Sequence, residues 1–124
     1  MSFPNLENKT VLVVEDDDMS FLYLNQLFLL TKCNLVHART GSEALEKFQN
    51  KQPDFILMDI QLPDMEGTEV TQKIRQSGSN IPIIAQTAGK SGEEQEKALK
   101  AGCSAVLIKP FSMEKLFEVI LRFA

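Results

Sequence analysis

Short apolar runs alternate along the chain with longer segments in which apolar residues recur at helical spacing. The apolar runs predict five strands, over 10–14, 34–38, 54–58, 81–86 and 104–108. The segments after them predict five helices, over 19–32, 40–50, 68–76, 91–101 and 112–123. Strands that are apolar on both faces and separated by helices indicate a parallel sheet covered on each side. We therefore expect one three-layer α/β/α domain.

Polar residues mark the ends of several predicted helices. Thr40 and Glu43 fit a capping box at the start of the second helix, and Ser91 and Glu94 fit another at the start of the fourth. In the acidic run 15–18, the two later carboxylates stand at the entrance to the first helix, where acids cap free N–H groups. We interpret Asp17 and Asp18 as helix caps and not as metal ligands.

Composition places the chain among soluble globular proteins, with 124 residues, 44% hydrophobic and 24% charged. A net charge of −4 argues against a nucleic-acid partner. The most apolar window, 21–30, is too short to cross a bilayer, and the start of the sequence lacks the features of a signal peptide. Cys33 and Cys103 form no CxxC pair and fit buried thiols in a reducing compartment. We expect a cytoplasmic protein with no membrane contact.

The first predicted strand runs directly into the carboxylates of Glu15 and Asp16. Two carboxylates about 4 Å apart repel by roughly 4 kcal/mol at an effective dielectric near 20, so the cluster needs a proton or a cation. The third strand leads to Asp59, the fourth to Thr87 and the fifth to Lys109. Parallel strands bring their carboxyl ends to one rim of the sheet, where sites form. These groups are therefore expected to form a site.

The chemistry of that rim suits phosphoryl transfer. Mg²⁺ typically takes one or two carboxylates and keeps positions for waters and phosphate oxygens. A carboxylate can attack phosphorus to give an aspartyl phosphate, and a metal, an ammonium group and a hydroxyl can stabilise the transition state.

Four motifs in order, each at a predicted strand end, carry a resemblance to a known family. They are "ED" at 15–16, "D" at 59 followed by Pro63 and Gly67, "TA" at 87–88 and "KPF" at 109–111. Together they resemble the response-regulator receiver domain of two-component signalling, of the chemotaxis-regulator type. The resemblance covers about 9–123 of a single domain, 1–124, and implies a flavodoxin-like (βα)5 fold with strand order 2-1-3-4-5.

The resemblance implies a role for each polar residue of the rim. Asp59 would be the phosphoacceptor, Thr87 would hydrogen-bond a phosphoryl oxygen, and Lys109 would pair with the phosphate. The domain would thereby promote its own phosphorylation and dephosphorylation without being an enzyme in the usual sense.

The resemblance also implies a metal site. Asp16 and Asp59 would ligate Mg²⁺, Glu15 would act through a bound water, and the Gln61 main-chain carbonyl would add a further ligand. Mn²⁺ is expected to substitute.

Three further positions bear on switching. Lys109-Pro110 is expected to be a cis peptide bond, Ala88 follows Thr87, and Val106 stands where many receivers carry Tyr or Phe. A β-branched Val has no ring to swing, so the usual aromatic coupling is in doubt. Gly89, two residues after Thr87, is expected to leave the phosphate side uncrowded.

The implied partner is a phosphohistidine on a sensor histidine kinase or a histidine phosphotransfer domain. The first predicted helix resembles the face that meets such domains in this family. The last predicted helix is so apolar that it suggests a homodimer or an intramolecular domain contact.

Alternatives remain open from the sequence. A phosphatase or nucleotide-binding enzyme on the same fold is disfavoured, because "DIQ" lacks a second carboxylate and no glycine-rich phosphate loop occurs. A pseudo-receiver that only binds is disfavoured by the full set of acids, Thr and Lys. The sole histidine, His37, is interpreted as structural. With no effector domain after Ala124, both a free-standing regulator and a piece excised from a hybrid sensor histidine kinase are possible.

Overall fold

Ten elements alternate strictly in the computed structural model, which describes residues 3–89 and 92–123. The strands are β1 (Thr10–Val14), β2 (Asn34–Ala38), β3 (Phe55–Asp59), β4 (Ile83–Thr87) and β5 (Ala105–Ile108). The helices are α1 (Asp18–Leu29), α2 (Gly41–Lys51), α3 (Gly67–Gln76), α4 (Gly92–Ala101) and α5 (Met113–Leu121). Every predicted strand and helix is present.

The predicted boundaries are wrong in places, for local reasons. α1 ends before the predicted Lys32, which has a positive φ of 65°, and the Thr31 hydroxyl donates to the Phe28 carbonyl (2.6 Å). β4 starts at Ile83 because Pro82 has no N–H to give to a ladder. β3 extends one residue further than predicted and includes Asp59.

The five strands form one parallel sheet in the order β2-β1-β3-β4-β5, which confirms the order that the resemblance implied. The strand order reverses between β1 and β3, and Val14 lies opposite Met58 there. In such sheets the crevice outside the carboxyl ends at the reversal point is where ligands bind. The fold therefore positions a site just after β1 and β3.

The core lies on both faces of the sheet, because each strand alternates its apolar side chains between them. One cluster joins the sheet to α1 and α5, through Val11, Val13, Leu24, Phe28, Leu57, Leu116, Phe117 and Ile120 among others. The second joins the sheet to α2, α3 and α4, through Leu12, Val14, Ala44, Ile56, Met58, Val70, Ile74 and Ala98 among others.

This core absorbs most of the apolar surface that made α5 a candidate docking helix. Its residues 116, 117, 119 and 120 are buried, whereas Leu121 and Phe123 beside it remain exposed. α1 keeps more of its apolar surface free, with Met19, Leu22 and Leu29 exposed.

Side-chain caps begin three of the helices. Asp17 accepts from the Ser20 N–H (2.8 Å), Thr40 from Glu43 (3.0 Å) and Ser112 from Lys115 (3.1 Å). The capping prediction for Asp17 is confirmed, and Asp18 lies in the first turn, where it pairs with Arg39. Ser91, the predicted cap of α4, lies outside the described residues. Among the described helices, none has the length and apolar character needed to span a bilayer.

Candidate functional site

The carboxyl ends of β1, β3, β4 and β5 surround one cavity of about 350 Å³. All the polar residues predicted for the rim line it: Glu15, Asp16, Asp59, Gln61, Thr87 and Lys109. Asp17, Ile60, Leu62, Pro63 and Ala88 complete the wall. The sequence prediction that these residues lie together is thus met by the geometry, while the role of each one stays a prediction.

Asp59 is the last residue of β3 and lines this cavity. The residue is only 6% exposed. Its Oδ1 accepts a hydrogen bond from the Gln61 N–H (3.0 Å), and its Oδ2 accepts one from the Lys109 ammonium (3.1 Å). The carboxylate is therefore oriented from two sides.

Glu15 is completely buried beside Asp59. Its Oε1 accepts from Lys109 Nζ (3.2 Å) and its Oε2 from the Asp17 N–H (3.3 Å). Burial raises the pKa of Glu15 to about 7, and the hydrogen bond and negative charge of Asp59 add to the rise, which Lys109 only partly opposes. This side chain therefore carries a proton part of the time near neutral pH.

Lys109 supplies the positive charge between the two buried acids. Burial of its ammonium group acts to lower its pKa, but the charges and hydrogen bonds of Asp59 and Glu15 outweigh burial, and the pKa is raised. Lys109 therefore stays protonated at neutral pH. The Lys109-Pro110 peptide bond is cis, which confirms that expectation.

The arrangement of acids fits a hard divalent cation. One oxygen from each of Glu15, Asp16 and Asp59 can be chosen so that all three lie within 4.8 Å of one another. In the part of the chain that the structure describes, these three carboxylates lie with one ammonium group, that of Lys109, so the cluster holds more negative than positive charge when ionised. An all-oxygen set with solvent access through the exposed Asp16 is what Mg²⁺ prefers.

The other side of the cavity is formed by Thr87, at the end of β4. Its hydroxyl oxygen accepts from the Gly89 N–H (3.0 Å), and its proton is donated to a carboxylate oxygen of Glu94 in the first turn of α4. A Cβ at Gly89 would overlap that same carboxylate. Glu94 therefore fills the space beside Gly89, and the expectation that Gly89 leaves the phosphate side uncrowded stays a prediction.

The loop after β3 is shaped by close backbone packing. A Cβ at Gly67 would overlap the Asp59 carbonyl oxygen, and the Gly67 N–H donates to the Ile60 carbonyl (2.7 Å). Asp64 accepts from the N–H groups of Gly41 (2.7 Å) and Ser42 (3.0 Å), so it caps α2 from outside. The loop that follows the candidate phosphoacceptor is thus tied to two helices.

His37 lies next to the site without entering it. Its Nε2–H donates to the Glu15 carbonyl (2.8 Å), and its ring stacks on Phe21 with centroids 3.5 Å apart. The structural interpretation of His37 is supported by these contacts, which hold the end of β1 in place.

Two polar contacts at the site were missed by the sequence reasoning: Glu94 with Thr87, and His37 with Glu15. Glu94 stands seven residues after Thr87, in the first turn of α4, and its position in the sequence predicts only a capping box with Ser91. Val106 packs, half-buried, against the cluster on the α2–α4 side, where β5 pairs it with Ala85.

The chain is similar to known proteins over nearly its whole length. The family model for the response regulator receiver domain matches residues 11–121. The polar-differentiation response regulator DivK of Brucella anthropi is 35% identical over 117 residues, covering 93% of this chain and 95% of DivK.

Solved structures give the same result. A putative response regulator from Chloroflexus aurantiacus superposes with a TM-score of 0.88 at 26% identity, covering 93% of this chain and 96% of that one. The receiver domain of the sensor histidine kinase PA1611 from Pseudomonas aeruginosa, with a magnesium ion coordinated in its active-site cleft, has a TM-score of 0.86 at 29% identity, with the same coverage.

Fold and site together define a flavodoxin-like signalling domain of two-component systems, a class that binds Mg²⁺ at an acidic cluster and interacts with histidine kinases or phosphotransfer proteins. The chain belongs to the response regulator receiver domain family.

Proposed function

We propose that this domain accepts a phosphoryl group on Asp59 from a phosphohistidine, in a Mg²⁺-dependent reaction, and acts as a switch or relay. The observation that carries the proposal is the position of the Asp59 carboxylate. It is nearly buried, held by Lys109 Nζ and the Gln61 N–H, and shares one cavity with two further acids and the Thr87 hydroxyl.

In the proposed reaction a carboxylate oxygen of Asp59 attacks the phosphorus. A P–O bond forms, the P–N bond to the donor imidazole breaks, and the imidazole leaves with the electron pair and takes up a proton from water. Lys109, which already donates to Asp59 (3.1 Å), would pair with the phosphoryl oxygens, and the Thr87 hydroxyl would be the donor on the opposite side.

The metal would be held by Asp16 and Asp59, with Glu15 acting through a water and the Gln61 main-chain carbonyl as a further ligand. When bound, Mg²⁺ neutralises charge on the acids and on the phosphoryl oxygens, and Mn²⁺ is expected to substitute. The raised pKa of Glu15 supports this assignment, because a cation there would replace the proton that the folded protein otherwise takes up.

The assignment of Asp59 is tested by mass. Incubated with Mg²⁺ and acetyl phosphate, the intact protein should gain the mass of one phosphoryl group, and Asp59→Asn should gain none. The matched control is Asp54→Asn, a carboxylate that lies before β3 and accepts from the Thr10 N–H. No gain in the wild type, or an unchanged gain in Asp59→Asn, would refute the proposal. Turnover of phosphate esters would instead favour the enzyme alternative.

For the donor, we propose that a histidine kinase or phosphotransfer domain docks beside α1. A second cavity, of about 440 Å³, lies next to Lys109 and is lined largely by apolar residues of α1 and of the loop after β5. Met19 is 73% exposed at its edge, and Pro110 and Phe111 form its far wall. A partner seated there would bring a histidine close to the Asp59 cavity.

A charge placed on this surface separates docking from chemistry. Met19→Asp should slow transfer from a phosphorylated histidine phosphotransfer domain by about tenfold or more, since it buries a charge in an apolar contact, and should leave uptake from acetyl phosphate unchanged. Leu99→Asp, at an exposed apolar residue of α4, is the matched control. Equal slowing in both variants would argue against docking at α1.

We also propose that residues 1–124 form one cytoplasmic receiver domain with its core at about 9–123. The exposed Leu121 and Phe123 at the end of α5 contribute to a homodimer or to an intramolecular domain contact. Sedimentation of the wild type and of Leu121→Lys across a concentration series tests the dimer, and identical monomeric profiles would exclude it.

A further inference from the structure

The hydrogen bonds of the Thr87 hydroxyl conflict with the role proposed for it. A hydroxyl has one proton to donate. Thr87 uses that proton to donate a hydrogen bond to the Glu94 carboxylate, and its hydroxyl oxygen accepts a hydrogen bond from the Gly89 N–H. A phosphoryl oxygen can only accept, so it requires the same hydroxyl proton of Thr87 that is hydrogen-bonded to Glu94.

Glu94 is held in this position by its surroundings. It lies in the first turn of α4, where the helix dipole favours a carboxylate, and its side chain is half-buried. The absence of a side chain at Gly89 leaves the space that the carboxylate fills. The neighbouring acid, Glu93, is exposed and lines the groove between α3 and α4.

We propose that Glu94 is a positioning residue for phosphoryl transfer: its carboxylate keeps the Thr87 hydroxyl out of the reaction until a phosphoryl group displaces it. This inference rests on the proposed phosphorylation of Asp59. The phosphoryl oxygen and the Glu94 carboxylate compete as acceptors for the one hydroxyl proton of Thr87. Glu94 therefore slows phosphorylation. When Thr87 turns to the phosphoryl group, the start of α4 loses its hydrogen bond to β4. This change does not depend on an aromatic ring at position 106, where the chain has Val.

The inference is tested with acetyl phosphate and Mg²⁺, following the phosphoryl mass gain over time. In this reaction Asp59 attacks phosphorus, the bond from phosphorus to the donor carboxylate oxygen breaks, and acetate leaves. Glu94→Ala should raise the rate about three- to tenfold, the range that one net hydrogen bond corresponds to. Glu94→Gln keeps an acceptor without the charge and should fall between Glu94→Ala and the wild type.

Three further variants separate positioning from a general effect on the helix. Glu93→Ala removes the same charge from the same turn without touching Thr87, and should leave the rate unchanged. Gly89→Ala should raise the rate, because its Cβ displaces the flexible Glu94 carboxylate from Thr87. In Thr87→Ala, adding Glu94→Ala should have no further effect, since the two residues act through one hydrogen bond.

The outcomes distinguish this inference from the proposed function. If the wild type gains no phosphoryl group, the proposed function fails and this inference fails with it. If the wild type is phosphorylated and Glu94→Ala matches Glu93→Ala, only the inference is overturned. A Glu94→Ala effect of the same size in the Thr87→Ala background would also overturn it.

Discussion

Among the described residues, one side of the cavity holds three carboxylates, two of which pair with the Lys109 ammonium group, whereas on the other side the Thr87 hydroxyl meets the Glu94 carboxylate. On the first side Glu15 and Asp59 are buried, and the excess of negative charge that Lys109 leaves uncompensated contributes to the raised pKa of Glu15. On the second side the Thr87 hydroxyl already has a hydrogen-bond donor and an acceptor, and in our proposal it must leave Glu94 before it can bind a phosphoryl oxygen. The difference indicates that mutual repulsion of the acids favours cation binding on the first side, whereas a competing acceptor opposes phosphoryl binding on the second.

The largest effect on stability is expected from removing the shared ammonium group. Lys109→Met should lower the free energy of unfolding of the metal-free protein by about 2 kcal/mol, less than for a fully buried pair because the Lys109 side chain is 27% exposed. Urea unfolding in a chelating buffer measures it. Lys97→Met, which loses only an exposed pair with Glu66, should change the stability by about 0.5 kcal/mol or less. Equal losses would contradict the comparison.

The next effect concerns pH. The pKa of Glu15 is raised to about 7 in the folded protein from 4.5 in the unfolded chain, so the folded state binds more protons between these values. The contribution of Glu15 to the free energy of unfolding is therefore fully present at and below the unfolded-state pKa of 4.5, and it is lost as the pH rises through the folded-state pKa of about 7. We expect the metal-free protein to lose about 1–2 kcal/mol between about pH 5 and pH 8 from this group. Glu15→Gln should flatten that slope, and a wild-type stability that rises over this range would contradict the assignment.

Added Mg²⁺ should act on the same side with a smaller effect. At ten times its dissociation constant it should stabilise the folded state by about 1.4 kcal/mol, because the site is absent from the unfolded chain. Asp16→Asn should remove the response and leave the metal-free protein as stable or more so. Asp18→Asn, which lies in the same acidic run but outside the cavity, should keep the response. Melting temperatures of the wild type and both variants, measured with and without Mg²⁺, test this expectation, and an equal Mg²⁺ response in Asp16→Asn and Asp18→Asn would contradict it.

The smallest effect on stability is expected on the hydroxyl side. Glu94→Ala should change the free energy of unfolding by about 0.5 kcal/mol or less, since water in the cavity can replace the carboxylate as acceptor for Thr87. A loss as large as that of Lys109→Met would show that this contact is part of the stabilising framework and not a local restraint.

The pattern of apolar runs was sufficient for the ten elements and the parallel sheet, because strands buried on both faces are apolar throughout, whereas the strand order was implied by the resemblance. All ten elements were predicted, and the errors fall at ends such as Lys32 and Pro82, where a single residue's φ or missing N–H decides the boundary. The gathering of Asp16, Asp59 and Lys109 at one rim follows from the rule that parallel strands end on the same side.

The contacts that were not predicted depend on side-chain paths that spacing does not determine. The carboxylate of Glu94 turns towards Thr87, the His37 ring reaches the Glu15 carbonyl, and Asp64 caps a helix that precedes it in the chain. Each contact joins residues from separate elements. The consequence of Val106 for switching stays a prediction.

Two residues one turn apart on α4 contact two different segments. Glu94 binds Thr87, the last residue of β4, and Lys97 pairs with Glu66 (2.8 Å) just before α3. Because a helix moves as a rigid rod, a shift at its first turn also alters the second contact and the width of the groove of about 330 Å³ between α3 and α4. A change at the rim that shifts α4 would therefore change this groove, which lies on an outer surface where another macromolecule can bind without approaching the acids.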